Sequence, residues 1–136
     1  MTFKERKQMF DRIYQRYCGE MWIHGDENAA EDEAYSYIIR REIVLPKKAF
    51  SNPSEWMILV LLHEIGHIKT NTRNMKVYEK EFTATQWSAK EARRIGFCVR
   101  NEWKNVFQDY IWDKRQNCIN RNGKNVASKE SLVVVW

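Results

Sequence analysis

The sequence predicts one α+β domain that is mainly helical, with about four helices and a small few-stranded sheet packed on the most apolar helix. The chain has 136 residues, which suffices for one hydrophobic core but not for two. Apolar residues recur at spacings of three and four through most of the chain, as in helices. Residues 35–45 are instead rich in aromatic and β-branched side chains, which favour strands. There is no internal repeat or linker, so the domain spans residues 1–136.

The first predicted helix covers residues 3–22, and Gly25 ends the segment. His24 follows this helix, and a lone histidine at a helix end more often caps the helix or faces solvent than binds a metal. Residues 27–33 form a polar connector or a short helical turn. The helical prediction rests on one periodic set of apolar side chains, namely Phe3, Phe10, Ile13, Tyr14, Tyr17, Cys18, Met21 and Trp22.

Two strands are predicted, at residues 35–39 and 42–45. Arg40 and Arg41 lack the Asn-Gly chemistry of a tight hairpin, so a single bent strand is the alternative. Pro46 ends the segment because it cannot donate a ladder hydrogen bond. The strand at residues 42–45, just before the next helix, could present a free edge to an extended peptide and hold it by backbone hydrogen bonds.

The next helix is the most apolar stretch of the chain. Asn52 is its predicted N-cap, with Pro53 at the first helical position and Glu55 at N3. The apolar residues that follow predict a buried helix. Ionisable side chains in a buried helix need a partner, and a metal ion would be one.

That helix contains the pentapeptide His63-Glu64-Ile65-Gly66-His67. Residues four apart lie one turn apart on the same helical face, so His63 and His67 can bind one metal ion. This spacing is the signature of helical zinc peptidases. Zinc with three protein ligands keeps a fourth position for water and activates it, and Glu64 is then the predicted general base and catalytic residue.

A second long helix is predicted at residues 77–95, closed by Gly96, and it must supply the third ligand. Glu81 shares its face with the small side chains of Ala84, Thr85 and Ser88, which would let the two helices approach closely. Glu79 lies about 160° away around the helix, so the two cannot bind one ion. The geometry favours Glu81 and leaves Glu79 as the alternative.

Glu91 lies too far along this helix and beside Arg93 and Arg94, so it is expected to be a surface ion-pair partner. A third helix is predicted at residues 100–115, burying Trp103, Val106, Phe107, Tyr110 and Ile111. Asn122-Gly123 is a turn signal, and residues 132–136 form a strand-like tail.

Composition limits the other function classes. The three cysteines, Cys18, Cys98 and Cys118, are odd in number and widely spaced, which predicts reduced, buried thiols in a cytoplasmic protein. The chain contains no apolar run long enough to span a membrane, and residues 1–8 are polar and charged, without the apolar centre expected of a secretory signal. The net charge of +5 permits contact with nucleic acid or an acidic partner but does not require it, and a solvated mixed-charge surface is the favoured interpretation.

The segment from Tyr35 to Ser88 resembles the ImmA/IrrE-type zinc peptidases, which are often encoded by phages and mobile elements. That group pairs His-Glu-[Leu/Ile]-Gly-His with a downstream Glu-x-x-Ala-x-x-aromatic-small helix, and Glu81, Ala84, Trp87 and Ser88 occupy these positions here. The resemblance implies a minimal zincin-like core with Glu81 as the third zinc ligand. The gap between His67 and Glu81 is short for the group, Trp87 replaces the usual Phe, and residues 97–136 have no counterpart.

The implied activity is hydrolysis of a peptide bond in a specific protein substrate, such as a transcriptional repressor. An oxyanion donor is also required, and Tyr35, Tyr37 and Tyr78 are candidates, although each is more typically a core or rim aromatic. Two alternatives stay open. The protein could be a non-catalytic interaction protein, such as an antirepressor or inhibitor, or a basic nucleic-acid-associated protein with a structural zinc site.

Overall fold

The structure is a computed structural model that describes residues 1–30, 32–122 and 125–136. It confirms the predicted α+β class: five α-helices, four of them long, accompany one three-stranded sheet in the described part of the chain. The elements, in chain order, are α1 (Phe3–Tyr17), β1 (Trp22–Asp26), β2 (Tyr35–Tyr37), β3 (Glu42–Pro46), α2 (Lys48–Ser51), α3 (Glu55–Lys69), α4 (Val77–Ile95) and α5 (Asn101–Asn122). Short 3₁₀ helices lie at Thr72–Asn74 and Glu130–Leu132.

The sheet has the strand order β1-β3-β2, with β1 parallel and β2 antiparallel to β3. The hairpin reading of residues 35–45 is therefore correct, and the bent strand is rejected. Arg41 makes the turn possible by adopting a left-handed conformation with φ 50°. Because β3 is paired on both sides, the predicted free edge on the strand before the metal helix is wrong. The free edges belong to β1 and β2.

Helix α1 is shorter than predicted, and the strand after it was missed. It begins with a capping box between Thr2 and Glu5 and ends at Tyr17, after which residues 22–26 pair with β3. The helix-like spacing of apolar residues happens to extend to Trp22, which is the first residue of β1. That strand forms because it pairs with β3, which lies about twenty residues later in the chain. His24 is therefore a strand residue and not a helix cap, and its Nε2 lies 2.8 Å from Oε2 of Glu42.

Helix α3 begins later than predicted. Its N-cap is Ser54, whose hydroxyl accepts a hydrogen bond of 3.0 Å from the backbone N–H of Met57. Asn52 instead ends the short helix α2, which was not predicted, and Pro53 precedes the cap. The residue before a proline is disfavoured in the helical region. Asn52 accordingly has a non-helical backbone with φ −146° and ψ 74°, and the next side chain with a hydroxyl, that of Ser54, caps α3. Leu59, Leu61 and other residues of α3 are fully buried and form the centre of the core.

Helix α4 has the predicted bounds, and Gly96 ends it with φ 77°. Helix α5 continues to residue 122 rather than 115. It packs on α4 along a narrow face, so that Ile111 is fully buried whereas Val106 and Tyr110 are exposed, contrary to prediction. Trp103 and Phe107 are half-buried.

The tail at residues 132–136 is extended in part but does not pair as a strand. Leu132 and Val134 are buried while Val133 and Val135 are exposed, so the tail shows strand-like alternation. The backbone of the tail forms hydrogen bonds with side chains instead of with another strand. The side-chain amide of Gln108 donates a hydrogen bond to the Leu132 carbonyl oxygen and accepts one from the Val134 N–H, each of 2.8 Å. The side-chain amide of Gln86 donates to the Val135 carbonyl oxygen and accepts from the Val135 N–H, each at 2.9 Å.

Several smaller predictions also have outcomes. The connector at residues 27–33 contains turns, with Glu31 outside the described residues, and the turn at Asn122-Gly123 falls on Gly123, which is also outside them. The cysteines are unpaired as predicted, but they are not buried. Cys18, at the end of α1, and Cys98, between α4 and α5, are exposed, and Cys118 is half-buried against the cluster around Ile111. None of the described helices is long and apolar enough to cross a membrane.

Candidate metal centre

His63, His67 and Glu81 converge between α3 and α4. The Nε2 atoms of the two histidines lie 3.1 Å apart. Oε2 of Glu81 lies 2.9 Å from Nε2 of His63, and Oε1 of Glu81 lies 3.6 Å from Nε2 of His67. One ligand atom from each residue falls within 4.8 Å of the other two, an arrangement that could hold a metal ion.

The close approach of the two helices brings Glu81 to the histidines. Gly66 lies against the backbone of Ala84, and a Cβ atom at Gly66 would come within 2.6 Å of the Ala84 carbonyl oxygen. Ala84, Thr85 and Ser88 are fully buried, as expected for the strip of small side chains. Thus Gly66, in the middle of the metal-binding motif, allows α4 to reach the histidines.

A threonine contacts the second ring nitrogen of each histidine. Oγ1 of Thr72 lies 2.9 Å from Nδ1 of His67, and Oγ1 of Thr85 lies 3.2 Å from Nδ1 of His63. Both threonines are fully buried. When Nδ1–H donates to the hydroxyl oxygen, the lone pair of Nε2 points into the cluster, as a metal ligand requires. Such partners fix both the orientation and the tautomer of the rings.

The donor set fits zinc. Bond lengths of about 2.0–2.1 Å in a tetrahedral site place neighbouring ligand atoms about 3.3–3.4 Å apart. The two Nε2 atoms, 3.1 Å apart, lie near this value, and one ligand atom from each of the three residues lies within 4.8 Å of the other two. Two imidazoles and one carboxylate also match the composition of catalytic zinc sites, which keep one position for water. The ligand triad is therefore compatible with zinc in both chemistry and spacing.

Electrostatics keep Glu81 ionised. Burial alone would raise the pKa of its carboxyl, but hydrogen bonds and charge interactions with His63 and His67 outweigh burial and lower the pKa to about 2. An ionised carboxylate beside two imidazoles is the form that a metal ion needs.

The two other acidic candidates on α4 are outside the triad. Glu79 is half-buried in the first turn of α4 and does not belong to the cluster. Glu91 is an ion-pair partner as expected, but it is buried. Its carboxylate accepts bonds from the Arg94 guanidinium and interacts with Tyr17 and Arg16 of α1. Burial acts to raise the pKa of Glu91, but its hydrogen bonds to Arg94 and Tyr17 lower it overall. Glu91 thus connects α1 to α4.

Glu64 follows His63 on α3 and is half-buried. Its carboxylate makes no hydrogen bond or ion pair with another side chain in the described part of the protein. The group is therefore available to solvent or to a bound molecule, whereas the triad is held by its neighbours.

The three tyrosines proposed as oxyanion donors lie in different environments. Tyr78 is buried beside Ile111 and Leu132, and its hydroxyl accepts a bond of 3.1 Å from the Ala127 N–H, a position that disfavours the role. Tyr35 and Tyr37 are exposed on β2, on the sheet face opposite the core.

Sequence reasoning missed the aromatic wall beside the centre. The Phe107 ring lies 5.0 Å from the His63 ring, between centroids, and it contacts Trp56 and Trp136 at 5.5 and 6.3 Å. Helix α5, in the part of the chain that carries no motif of the zinc peptidases, thus covers one side of His63. The apolar residues of the helix predicted at residues 100–115 indicated that this helix packs on the rest of the protein. They did not indicate that it packs against His63.

No protein-family model matches this chain, and neither a curated protein nor a solved structure matches it. The resemblance to ImmA/IrrE-type peptidases therefore rests on the motif residues.

Proposed function

We propose that this protein is a zinc-dependent endopeptidase that hydrolyses a peptide bond in a specific protein substrate. The observation that carries the proposal is the convergence of His63, His67 and Glu81 within 4.8 Å, with Glu64 adjacent on the same helix. Ligands of this chemistry and number are those of zinc peptidases with an HExxH helix.

Zinc bound by His63, His67 and Glu81 would lower the pKa of a water molecule and polarise the scissile carbonyl. Glu64 would accept the proton of the attacking water and deliver a proton to the leaving amine. Its half-buried carboxylate, which no other described side chain engages, supports this role. Thr72 and Thr85 would hold the histidine rings in place during the reaction. Tyr35 and Tyr37 stay candidates for the oxyanion donor.

We further propose that the chain is an ImmA/IrrE-type peptidase that acts in the cytoplasm on one protein, such as a transcriptional regulator. The burial of Ala84 and Ser88 against α3 supports this assignment, because small residues at these pattern positions bring Glu81 to the histidines. A narrow substrate range is expected of a small protease free in the cell. Digestion of unfolded casein at ordinary enzyme concentrations would contradict that range.

The proposal is tested by Glu64→Gln, which removes the general base but none of the three ligands. Zinc-loaded wild type and variant are incubated with a protein extract, and new protein N-termini are mapped by mass spectrometry. We expect a small set of new termini with the wild type and none with Glu64→Gln, although both bind one zinc ion. Identical termini with both proteins would refute the peptidase assignment, and biological activity that survives in Glu64→Gln would favour the interaction-protein alternative.

A further inference from the structure

The outer face of the sheet exposes three aromatic side chains. Trp22, Tyr35 and Tyr37 are 62%, 48% and 43% exposed. In the strand register Trp22 and Tyr37 flank Glu42 on β3, and partners in register project to the same side of a sheet. The alternate residues, including the fully buried Ile43, point into the core. These aromatics therefore form a surface separate from the hydrophobic core.

Neighbouring groups hold two of these rings in place. The Trp22 ring stacks on His24 with centroids 3.8 Å apart and planes 16° apart. The Arg40 guanidinium lies 4.4 Å from the centroid of the Tyr37 ring. Since Trp22 remains largely exposed despite its stacking partner, its ring can accept another planar group.

The charges on this face favour an anionic partner at the end that carries Trp22 and Tyr37. Glu42 is only 6% exposed and is paired with His24 at 2.8 Å and with Arg40 at 3.5 Å, so its negative charge is covered. Arg40 and Arg41 are exposed in the turn that adjoins Trp22 and Tyr37. At the other end, Glu33 accepts a hydrogen bond from the Tyr35 hydroxyl, which places an acidic group there.

We propose that the Trp22–Tyr37 end of the sheet binds single-stranded nucleic acid, with bases stacked on Trp22 and Tyr37 and phosphates met by Arg40 and Arg41. Single strands expose flat bases that stack on aromatic rings irrespective of sequence, and their phosphates require nearby cations. A duplex does not expose the faces of its bases for stacking on aromatic side chains. An apolar protein surface would not form ion pairs with Arg40 and Arg41. The net charge of +5 agrees with this partner. The site is independent of the metal centre and of the proposed peptidase activity.

The test is fluorescence anisotropy with labelled oligo-dT and oligo-U about 15 nucleotides long and with a duplex of the same length. Trp22→Ala and Tyr37→Ala should each weaken single-strand binding roughly 5- to 150-fold, and Arg40→Gln should reduce the salt dependence. Trp22→Phe, which keeps a ring, should bind more tightly than Trp22→Ala. The matched control is Tyr110→Ala, because Tyr110 is also exposed and lies 5.0 Å from a lysine ammonium, but on α5.

The DNA and RNA arms show which single strand is preferred. Absence of binding at about 50 mM salt would overturn the proposal. So would equal binding of duplex and single strand, or Trp22→Ala and Tyr37→Ala variants that bind like the wild type. His67→Ala should leave the affinity unchanged, which separates this site from the metal centre.

Discussion

Oγ1 of Thr72 lies 2.9 Å from Nδ1 of His67, and the two side chains are buried together at the end of α3. The contact joins the short 3₁₀ helix at residues 72–74 to the candidate metal centre. It orients His67, one of the three residues that could hold a metal ion. The short segment between His67 and Glu81 thus supplies a residue that holds a ligand of the centre.

Replacing Thr72 by Val should weaken zinc binding about 10- to 100-fold, the usual effect of losing such a partner. Val has nearly the same shape as Thr but cannot accept a hydrogen bond from Nδ1–H of His67, so the His67 ring loses its fixed orientation. Competition with a chromophoric zinc chelator measures the affinity. Thr72→Ser, which keeps the hydroxyl, is the control and should stay close to the wild type, whereas unchanged affinity in Thr72→Val would contradict the role.

Gly66→Ala should separate α3 from α4. An added Cβ would lie 2.6 Å from the Ala84 carbonyl oxygen, and overpacking of this kind costs about 1–3 kcal/mol, although helix propensity alone favours Ala by about 1 kcal/mol. We expect a lower free energy of unfolding in urea and weaker zinc binding. Gly19→Ala is the control, since no atom lies within 4 Å of its Cβ position. Equal losses in both variants would refute the close-packing explanation.

Glu81 should contribute to stability in a pH-dependent way. Its pKa in the folded protein is about 2, below the ordinary 4.5. The ionised group therefore stabilises the metal-free fold above pH 4.5, and this contribution, on the order of 3 kcal/mol at most, is lost as the pH falls toward 2. Urea unfolding of metal-free wild type and Glu81→Gln should show a difference that shrinks below pH 4.5. If the difference in the free energy of unfolding between the two proteins did not change with pH, it would contradict the interaction of ionised Glu81 with His63 and His67.

Gln108 should anchor the tail at residues 132–136. Its side chain brackets the backbone of Leu132 and Val134, so Gln108→Ala leaves two backbone groups without their partners, at about 1–3 kcal/mol. Hydrogen exchange at Val134 should become faster. Gln116→Ala is the control, because Gln116 lies on the same helix but bonds only to Asn120. Protection at Val134 that survives in Gln108→Ala would show that packing and the Gln86 hydrogen bonds hold the tail without Gln108.

The ligand triad could be predicted because its signals are local. His63 and His67 are one turn apart in any helix, and the small residues after Glu81 identify the face of α4 that meets α3. Thr85 could have been found by the same argument, since it lies one turn after Glu81. Thr72 could not, because its position depends on the path of the chain after α3.

Strand β1 and the partners of the tail could not be predicted for a different reason, since both depend on distant parts of the chain. Residues 22–26 become a strand by pairing with residues 42–46, and local periodicity carries no sign of this pairing. The tail has strand-like alternation, but Gln86 and Gln108 take the place of a neighbouring strand. Local patterns therefore located the long helices and brought His63, His67 and Glu81 together, whereas long-range pairing had to be observed.

Zinc content tests the central claim most directly. Elemental mass spectrometry is applied to wild type, His67→Ala, Glu81→Ala and Glu79→Ala after exposure to zinc and removal of excess metal. The account predicts about one zinc ion per chain in the wild type and in Glu79→Ala, and a large loss in His67→Ala and Glu81→Ala. Zinc retained in Glu81→Ala but lost in Glu79→Ala, or no zinc in the wild type, would contradict it.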